Sequence, residues 1–378
     1  MKKAPRLRFR GFQEDWELCK LKEIVDVRSG RDYKHLGSGN IPVYGTGGYM
    51  LSVSEALSYD EDAIGIGRKG TINNPYILKA PFWTVDTLFY AIPKNNFDLN
   101  FIYSIFRKIN WKSKDESTGV PSLSKTTINA VTVYIPSGSE QQRIGEFFKQ
   151  IDNTITLHQR ELDQLKELKK AYLQLMFPVK DERVPKLRFA DFEGEWEQCK
   201  FFDMWEKSSD RNKELKYSSK DVLSVAKMTK NPVERNSSDE YMKTYNILHY
   251  GDIAFEGNKS KDYSFGRFVL NNLQDGIVSH VFIVFKPKVK MDIDFMKVYI
   301  NNEYFMKHHL VKATTKTLMM TTLNVQDMNK QKLRIPSLNE QERIGKFFKE
   351  LDHAITLHQN KLTQLKSLKK SYLQNMFI

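Results

Sequence analysis

The sequence predicts a duplicated protein of mixed α/β (α+β) class. It has two globular domains per chain, separated by a pair of long coiled-coil helices, with a pseudo-twofold internal repeat. Three observations predict it. First, "IPSGSEQQRIGEFFKQIDNTITLHQRELDQLKELKKAYLQLMF" (135–177) returns at offset 200 as "IPSLNEQERIGKFFKELDHAITLHQNKLTQLKSLKKSYLQNMF" (335–377), with 29 of 43 positions identical. Second, "PRLRFRGFQEDWELCKL" (5–21) returns at offset 180 as "PKLRFADFEGEWEQCKF" (185–201). Third, the segments between, 22–134 and 202–334, share little sequence, yet each alternates strand-sized apolar runs with one helix-sized run. A repeat of this kind outranks any local reading of the chain. Each half has one plan: a shared lead-in, a divergent middle and a shared block. The layout is a common frame presenting two different faces.

The lead-ins come first in each half. Cys19 and Cys199 stand three residues after Trp16 and Trp196 and read as small core residues. In the first middle segment, strands are expected at Ile41–Gly45, Ala63–Gly67, Thr87–Ile92 and Ala130–Ile135, with a helix over Leu99–Asn110. The second repeats the rhythm at Asp221–Ala226, Asp252–Gly257, Phe265–Leu270 and His280–Phe285, then a helix over Asp294–His309.

The shared blocks read as helices. Pro136 and Pro336 close the strand-like runs "AVTVYI" and "QKLRI", and Ser139 with Gln142, like Asn339 with Glu342, has capping-box spacing. The next 38 residues lack proline in both copies, and the only glycines are Gly145 and Gly345. Apolar residues recur at helical spacing: Ile144, Ile151, Ile155, Leu162, Leu165 and Tyr172, with Ile344, Leu351, Ile355, Leu362, Leu365 and Tyr372 as counterparts. At 1.5 Å per residue such a helix is about 57 Å long. That length calls for a coiled-coil partner, and the obvious one is the other copy. Sequence alone leaves the orientation of the pair open.

Composition narrows the function. Hydrophobic residues make up 40% and charged residues 28%, an ordinary globular balance. No apolar run approaches the ~20 residues that cross a bilayer. "MKKAPRLRFRGF" has no apolar core and does not read as a signal peptide. Two cysteines in 378 residues fit a reducing cytoplasm. No C-x-x-C or H-x-x-x-H pair offers a structural metal site. The net charge of +13 points to a polyanion partner. Residues 1–139 and 178–339 carry +5 each, so most of the excess lies outside the helical blocks.

Catalytic motifs are scarce. There is no P-loop. "NNPY" (Asn73–Tyr76) has Asn74 where an amino-methyltransferase motif needs proline, and reads as a turn. "ELK" (Glu214–Lys216) reads as a solvated loop rather than part of a nuclease site. "GIGRKG" (Gly65–Gly70) matches the dinucleotide fingerprint, but the residues after it, "TINNPYILKAPFW", hold two prolines and no helical period. It reads as a glycine-framed turn carrying two cations. His158 and His358 occupy equivalent helix positions and suit packing or partner contact better than catalysis.

Residues suited to nucleic acid are plentiful on the expected loops. The first middle segment offers Arg28, Ser29, Arg31, Tyr44, Thr46, Gly47, Gly48, Arg68, Lys69, Thr71 and Lys125. The second offers Arg211, Lys213, Lys259, Ser260, Lys261, Arg267, Ser279, His280, Lys316 and Thr317. Arginine suits base edges, while lysine and hydroxyls suit phosphates.

The repeated helix blocks, the "DWELCKL" and "EWEQCKF" lead-ins and the variable–shared–variable–shared order resemble the specificity (S) subunits of type I restriction-modification systems. The resemblance covers essentially the whole chain. It implies target recognition domains at 1–135 and 179–335, including the lead-ins, and shared helices at 136–178 and 336–378 packed antiparallel. Each recognition domain would read half of a bipartite, asymmetric double-stranded DNA site, and the helices would set the spacer. Two modification (methyltransferase) subunits and restriction (helicase-nuclease) subunits would be partners. S-adenosylmethionine, ATP and Mg²⁺ would reside on those partners, so this chain would be a non-catalytic, cytoplasmic subunit. A coiled-coil adaptor that binds proteins through its two divergent domains is the competing reading.

Overall fold

A computed structural model describes residues 3–180, 182–230, 238–258, 260, 263–316 and 320–378. The chain divides into two compact units: 1–160 with 359–378, and 161–358. Each contains one divergent segment, the first half of its own long helix and the second half of the other.

The first unit opens with β1 (Glu17–Lys20), the one-turn α1 (Leu21–Ile24) and β2 (Val25–Ser29). A hairpin, β3 (Ser38–Gly45) and β4 (Gly48–Val53), precedes β5 (Ala63–Gly67), β6 (Tyr76–Leu78), β7 (Trp83–Thr84) and β8 (Leu88–Pro93). Helices α2 (Leu99–Lys108) and α3 (Lys125–Ala130) and strand β9 (Thr132–Ile135) lead into the long α4 (Gly138–Leu175). The main sheet has order β2-β8-β5-β6, a second sheet has β4-β3-β7, and β1 pairs with β9. Ala63, Ile64 and Ile66 of β5 are fully buried, as a central strand requires.

The second unit runs β10 (Glu197–Lys200), α5 (Phe201–Met204), β11 (Trp205–Lys207), β12 (Leu223–Ser224), β13 (Thr229–Lys230), α6 (Asp239–Met242), β14 (Asn246–Leu248) and β15 (Ile253–Glu256). It continues with β16 (Arg267–Leu270), β17 (Gly276–Val278), β18 (Ile283–Pro287), α7 (Ile293–Ile300), α8 (Glu303–Ala313), β19 (Thr314–Lys316), β20 (Thr321–Leu323), α9 (Val325–Asn329), β21 (Lys332–Ile335) and α10 (Leu338–Asn375). Its main sheet, β11-β18-β15-β16, repeats the first unit's order, and β10 pairs with β21 as β1 pairs with β9.

The lead-ins therefore act structurally. Trp16 and Trp196 are 1% and 2% exposed. The bidentate Arg8–Glu140 pair (2.7 and 2.7 Å) is matched by Arg188–Glu340 (2.8 and 2.8 Å). Cys19 and Cys199 are half-buried against their cores, where burial raises their thiol pKa values.

The two glycines near the helix starts mark a joint. Asp98 caps α2, its carboxylate accepting from Phe101 N at 2.8 Å, and Asp292 caps α7 through Phe295 N at 2.7 Å. A Cβ on Gly145 would lie 2.1 Å from Asp98 Oδ1, and one on Gly345 would lie 2.3 Å from Asp292 Oδ1. Only glycine lets the long helix pass that close. Gln141 and Gln341 complete the joint, accepting from the backbone N of Asp98 and Asp292 and donating to the carbonyls of Pro136 and Pro336.

The helix pair is antiparallel. Within the first unit, Phe147 meets Tyr372 (5.0 Å between ring centres), and further along α4, Asp152 pairs with the earlier residue Lys369. Within the second, Tyr172 meets Phe347 (4.9 Å) and Lys169 pairs with Asp352 (2.5 Å). Among the residues expected to pack the helices, Ile144, Leu162, Ile344, Leu351 and Leu362 are buried. Ile151, Ile155, Leu165, Tyr172, Ile355, Leu365 and Tyr372 are half-buried. Ile144 and Ile344 belong to the domain cores, with Phe148 and Phe348.

Three local expectations shift. The helices begin at Gly138 and Leu338, so Ser139 and Asn339 lie in the first turn rather than at the cap. Ser337 Oγ instead accepts from Glu340 N (3.4 Å), and Glu140 and Glu340 turn to their arginines. The single helix expected over 294–309 is two, because Asn302 caps α8 through Tyr304 N and breaks the run. The strand expected over 221–226 shortens to β12, with a 3-10 turn at Ser219–Asp221 before it.

Candidate nucleic-acid interface

In the first unit, four separate segments meet in one open cleft of about 500 Å³. Its lining is Ser29 at the end of β2, Arg68 and Lys69 after β5, Phe89 on β8, and Ser122–Lys125, which lead into the first residue of α3. The "GIGRKG" stretch explains the geometry. Gly67 ends β5 with its α-carbon against the Thr71 carbonyl, where a Cβ would come within 2.1 Å, and Gly70 has φ +92°. The chain then turns to β6, so no helix follows and no strand–loop–helix cradle for a pyrophosphate forms. The turn is pinned on both sides. Arg68 N donates to Thr87 O (2.9 Å), Leu123 N donates to Arg68 O (2.9 Å), and Gly70 N donates to Pro121 O (2.8 Å).

The facing loop is held by Asp115. Its carboxylate accepts from Ser122 N (2.9 Å), Ser117 N (3.0 Å) and Ser117 Oγ (2.9 Å). The Ser122 amide, ahead of those two Ser117 bonds, lowers the Asp115 pKa. Glu116, the nearby acid, accepts from Ser124 Oγ (2.9 Å) and from the Thr127 hydroxyl. Cations and hydroxyls therefore line the cleft, with no carboxylate among its lining residues.

Other expected residues of this unit lie elsewhere. Arg28 is bound to Asp26 (2.7 Å) and Glu61 (3.2 Å), and the Asp26 hydrogen bond, working against partial burial, raises its pKa. Arg31 is exposed, and its carbonyl accepts from Trp83 Nε1 (2.9 Å). Tyr44, Thr46, Gly47 and Gly48 form the end of the β3–β4 hairpin, where Tyr76 Oη donates to Gly45 O (2.5 Å) and Tyr49 is 62% exposed. Thr71 is exposed at the base of the pinned turn.

In the second unit the corresponding turn follows β15. A Cβ on Gly257 would lie 2.2 Å from the Thr321 carbonyl, Thr321 N donates back to Gly257 O (2.8 Å), and Asn258 bridges Met320 as Lys69 bridges Ser122. The frame is repeated but the cations differ. Arg267 is committed to Glu256 (2.7 Å) and the Ala226 carbonyl (2.7 Å), and lies 4.7 Å from the Tyr263 ring centre. Burial opposes its charge, but the hydrogen bonds and charges of Glu256 and Tyr263 together outweigh it, so its pKa is raised. Lys316 is exposed, with Nζ 3.8 Å from the Phe265 ring centre. Ser260 Oγ accepts from Tyr263 N (3.1 Å). Lys259, Lys261 and Thr317 lie outside the described residues. Arg211, Ser279 and His280 gather around another part of the unit. Arg211 donates to Thr244 O (2.7 Å) and His280 stands 6.5 Å from the Tyr241 ring, while Lys213 is exposed.

The sequence offers Lys125 inside the hydroxyl-rich stretch "SLSKTT" (122–127), so Ser122 and Ser124 were visible only as hydroxyls beside it. Phe89 escapes sequence reasoning, because it sits in an apolar strand and carries no loop signal.

A duplicated frame holding two unlike loop faces, one of them a cleft of cations and hydroxyls, defines a two-domain binding protein with chemistry suited to a polyanion. The chain matches the family "Type I restriction modification DNA specificity domain" over residues 13–167 and 193–367, and it belongs to that family. The two matched stretches follow the internal repeat, each running from a lead-in into a long helix. Among curated proteins it is 24% identical over 213 residues to the type I restriction enzyme MjaVIII specificity subunit of Methanocaldococcus jannaschii. That match takes in 47% of this chain and spans about half, 48%, of the relative's length. Among solved structures it resembles the type I restriction-modification S subunit from M. genitalium, with TM-score 0.68, 11% identity and 99% coverage of both chains. A chain solved in work on complex assembly and conformational transition of the type I R-M system follows, with TM-score 0.51, 12% identity and coverage of 95% of this chain and 96% of that one. These structural likenesses establish the fold. Among the described residues, no helix is long and apolar enough to cross a membrane.

Proposed function

We propose that this chain is the DNA-reading subunit of a type I restriction-modification complex. Each unit reads one half of a bipartite, asymmetric site, and the antiparallel helices fix the spacer. The observation that carries the proposal is the coincidence of two findings. Each family-matched stretch enters a unit with the shared frame, and the first unit's frame gathers Arg68, Lys69 and Lys125 with three serine hydroxyls. Point charges and hydroxyls hold phosphates, and arginine forks read base edges.

The candidate DNA-binding residues keep that role here, with recognition domains at 1–135 and 179–335 and shared helices at 136–178 and 336–378. Two methyltransferase subunits dock on the helices and lead-ins, and helicase-nuclease subunits join them. Those partners bring S-adenosylmethionine, ATP and Mg²⁺, and flip the target base for methylation. This chain contributes recognition and scaffolding.

The test assembles the chain with its modification subunits and measures DNA binding across salt. A preference for one bipartite sequence is expected, with affinity falling as salt rises. Replacing residues 22–134 by the same segment of another family member should change one half-site and leave the other. Sequence-blind binding in the assembled complex would defeat the proposal and favour the adaptor reading.

A further inference from the structure

We infer that Arg68 is a base-reading residue for guanine, while Lys69 and Lys125 with Ser122 grip the phosphates beside it. This rests on the DNA-reading role proposed above and assigns the work within one cleft. Three observations carry it.

The first is the state of the arginine forks. Arg28 is spent on Asp26 and Glu61, Arg211 on the Thr244 carbonyl, and Arg267 on Glu256 and the Ala226 carbonyl, while Arg31 is exposed but lies outside the lining of the cleft. Arg68 lines the open cleft with no carboxylate bound to it among the described residues, and its polar contact is a long 3.3 Å one to the Asp86 carbonyl.

The second is preorganisation. The Arg68 guanidinium lies 5.8 Å from the Phe89 ring centre, which restrains the plane of the fork. The residue's backbone is pinned at both N–H and carbonyl by Thr87 and Leu123. An exposed side chain held by its backbone and by a ring loses less freedom on binding than a free lysine.

The third is the division of chemistry around it. Lys69 and Lys125 are point charges on opposite walls, joined by the Lys69–Ser122 bridge. Both acids of the facing loop are occupied, Asp115 by Ser117 and the Ser122 amide and Glu116 by the Ser124 and Thr127 hydroxyls. Two donors in a plane match guanine O6 and N7, the commonest specific partner of arginine. Spherical ammonium groups and hydroxyls match phosphate oxygens without sequence preference.

The experiment uses the full chain in complex with its modification subunits, selecting from a randomised duplex library and then measuring binding to single-base variants. Variants are Arg68→Lys, Arg68→Gln and Lys125→Ala. Arg68 is exposed, so both substitutions leave the fold intact, and matched thermal unfolding checks this. The wild type is expected to require guanine at one or more positions of one half-site. Arg68→Lys and Arg68→Gln should relax one of those positions by roughly 10- to 100-fold and leave the other half-site unchanged. Lys125→Ala should weaken all sequences alike and reduce the salt slope by about one. If the wild type selects a bipartite site but Arg68→Lys keeps the guanine preference, or weakens every sequence equally, the assignment of Arg68 is overturned and the DNA-reading role stands. If the wild type selects nothing, both fall together.

Discussion

The two units are alike where they are buried and unlike where they meet solvent. Both close the lead-in on the long helix with a buried arginine–glutamate pair, Arg8–Glu140 and Arg188–Glu340. Both seat an aspartate-capped helix against a glycine, and both run their main sheets in the same order. At the turn after the central strand they part. The first unit has Ile66, Gly67 and then Arg68, open to the cleft; the second has Glu256, Gly257 and Asn258, with Glu256 consumed by Arg267. The same glycine contact thus supports an open cation in one unit and a closed ion pair in the other. A frame fixed by burial tolerates no substitution without a packing or desolvation cost, whereas the turns it supports can change charge freely.

The likeness of the two frames rests most heavily on the arginine–glutamate pairs. Glu140→Ala should leave Arg8, whose side chain is only 13% exposed, without its partner, and should cost the first unit about 3–5 kcal/mol. Glu340→Ala should cost the second unit the same. Urea unfolding followed by mapping of newly cleavable sites would check both; clearly unequal losses would show that the frames are not equivalent.

A smaller effect is expected at the joint. Gly145→Ala and Gly345→Ala each drive a methyl into a capping carboxylate and should cost about 1–3 kcal/mol. The first should speed hydrogen exchange at the start of α2 and the second at the start of α7. Gly138→Ala, where a Cβ would meet open space, should change stability by less than about 0.5 kcal/mol and serves as the control.

A third test sharpens a difference between the units. Asp62 pairs with Lys79 (2.5 Å), but the corresponding Asp252 is buried, accepts from His249 N, and has its pKa raised to about 6 by burial. The folded state therefore prefers the protonated acid. Its contribution is present below the unfolded carboxylate value of ~3.9 and is lost as pH rises through about 6. Asp252→Asn should accordingly stabilise the second unit by about 1–2 kcal/mol at pH 8, after discounting for solvent screening, and do little at pH 4. Melting curves at the two pH values would show it, and a variant less stable at pH 8 would sink the idea. Asp62→Asn should give no such gain.

Much of the frame could be read from the chain before any coordinates. The repeat located both long helices, and the proline-free 38 residues of each are the lengths found for α4 and α10. The central strands around Ala63–Gly67 and Ile253–Glu256 stood out because buried strands are continuous apolar runs. The break at Asn302 did not, because an asparagine inside an apolar period looks like a tolerated polar position until its side chain is seen capping α8. The helix starts at Gly138 and Leu338 lie ahead of the expected caps because several serines and an asparagine with suitable spacing stand together there.

By itself the sequence determined the duplication, the long helices, the excess positive charge and the residue types available for a polyanion. These follow from periodicity and composition, which are local. Only the tertiary structure decided which of those cations are available. Arg28, Arg211, Arg267 and Arg68 look alike along the chain, and each could occupy an exposed turn. The first three are tied to carboxylates or carbonyls up to 41 residues away in sequence, and Arg68 is brought beside Lys125 by pairing of two distant loops. An ion pair or a shared cleft is a property of distance in space, and that distance is set by how the sheets and helices pack.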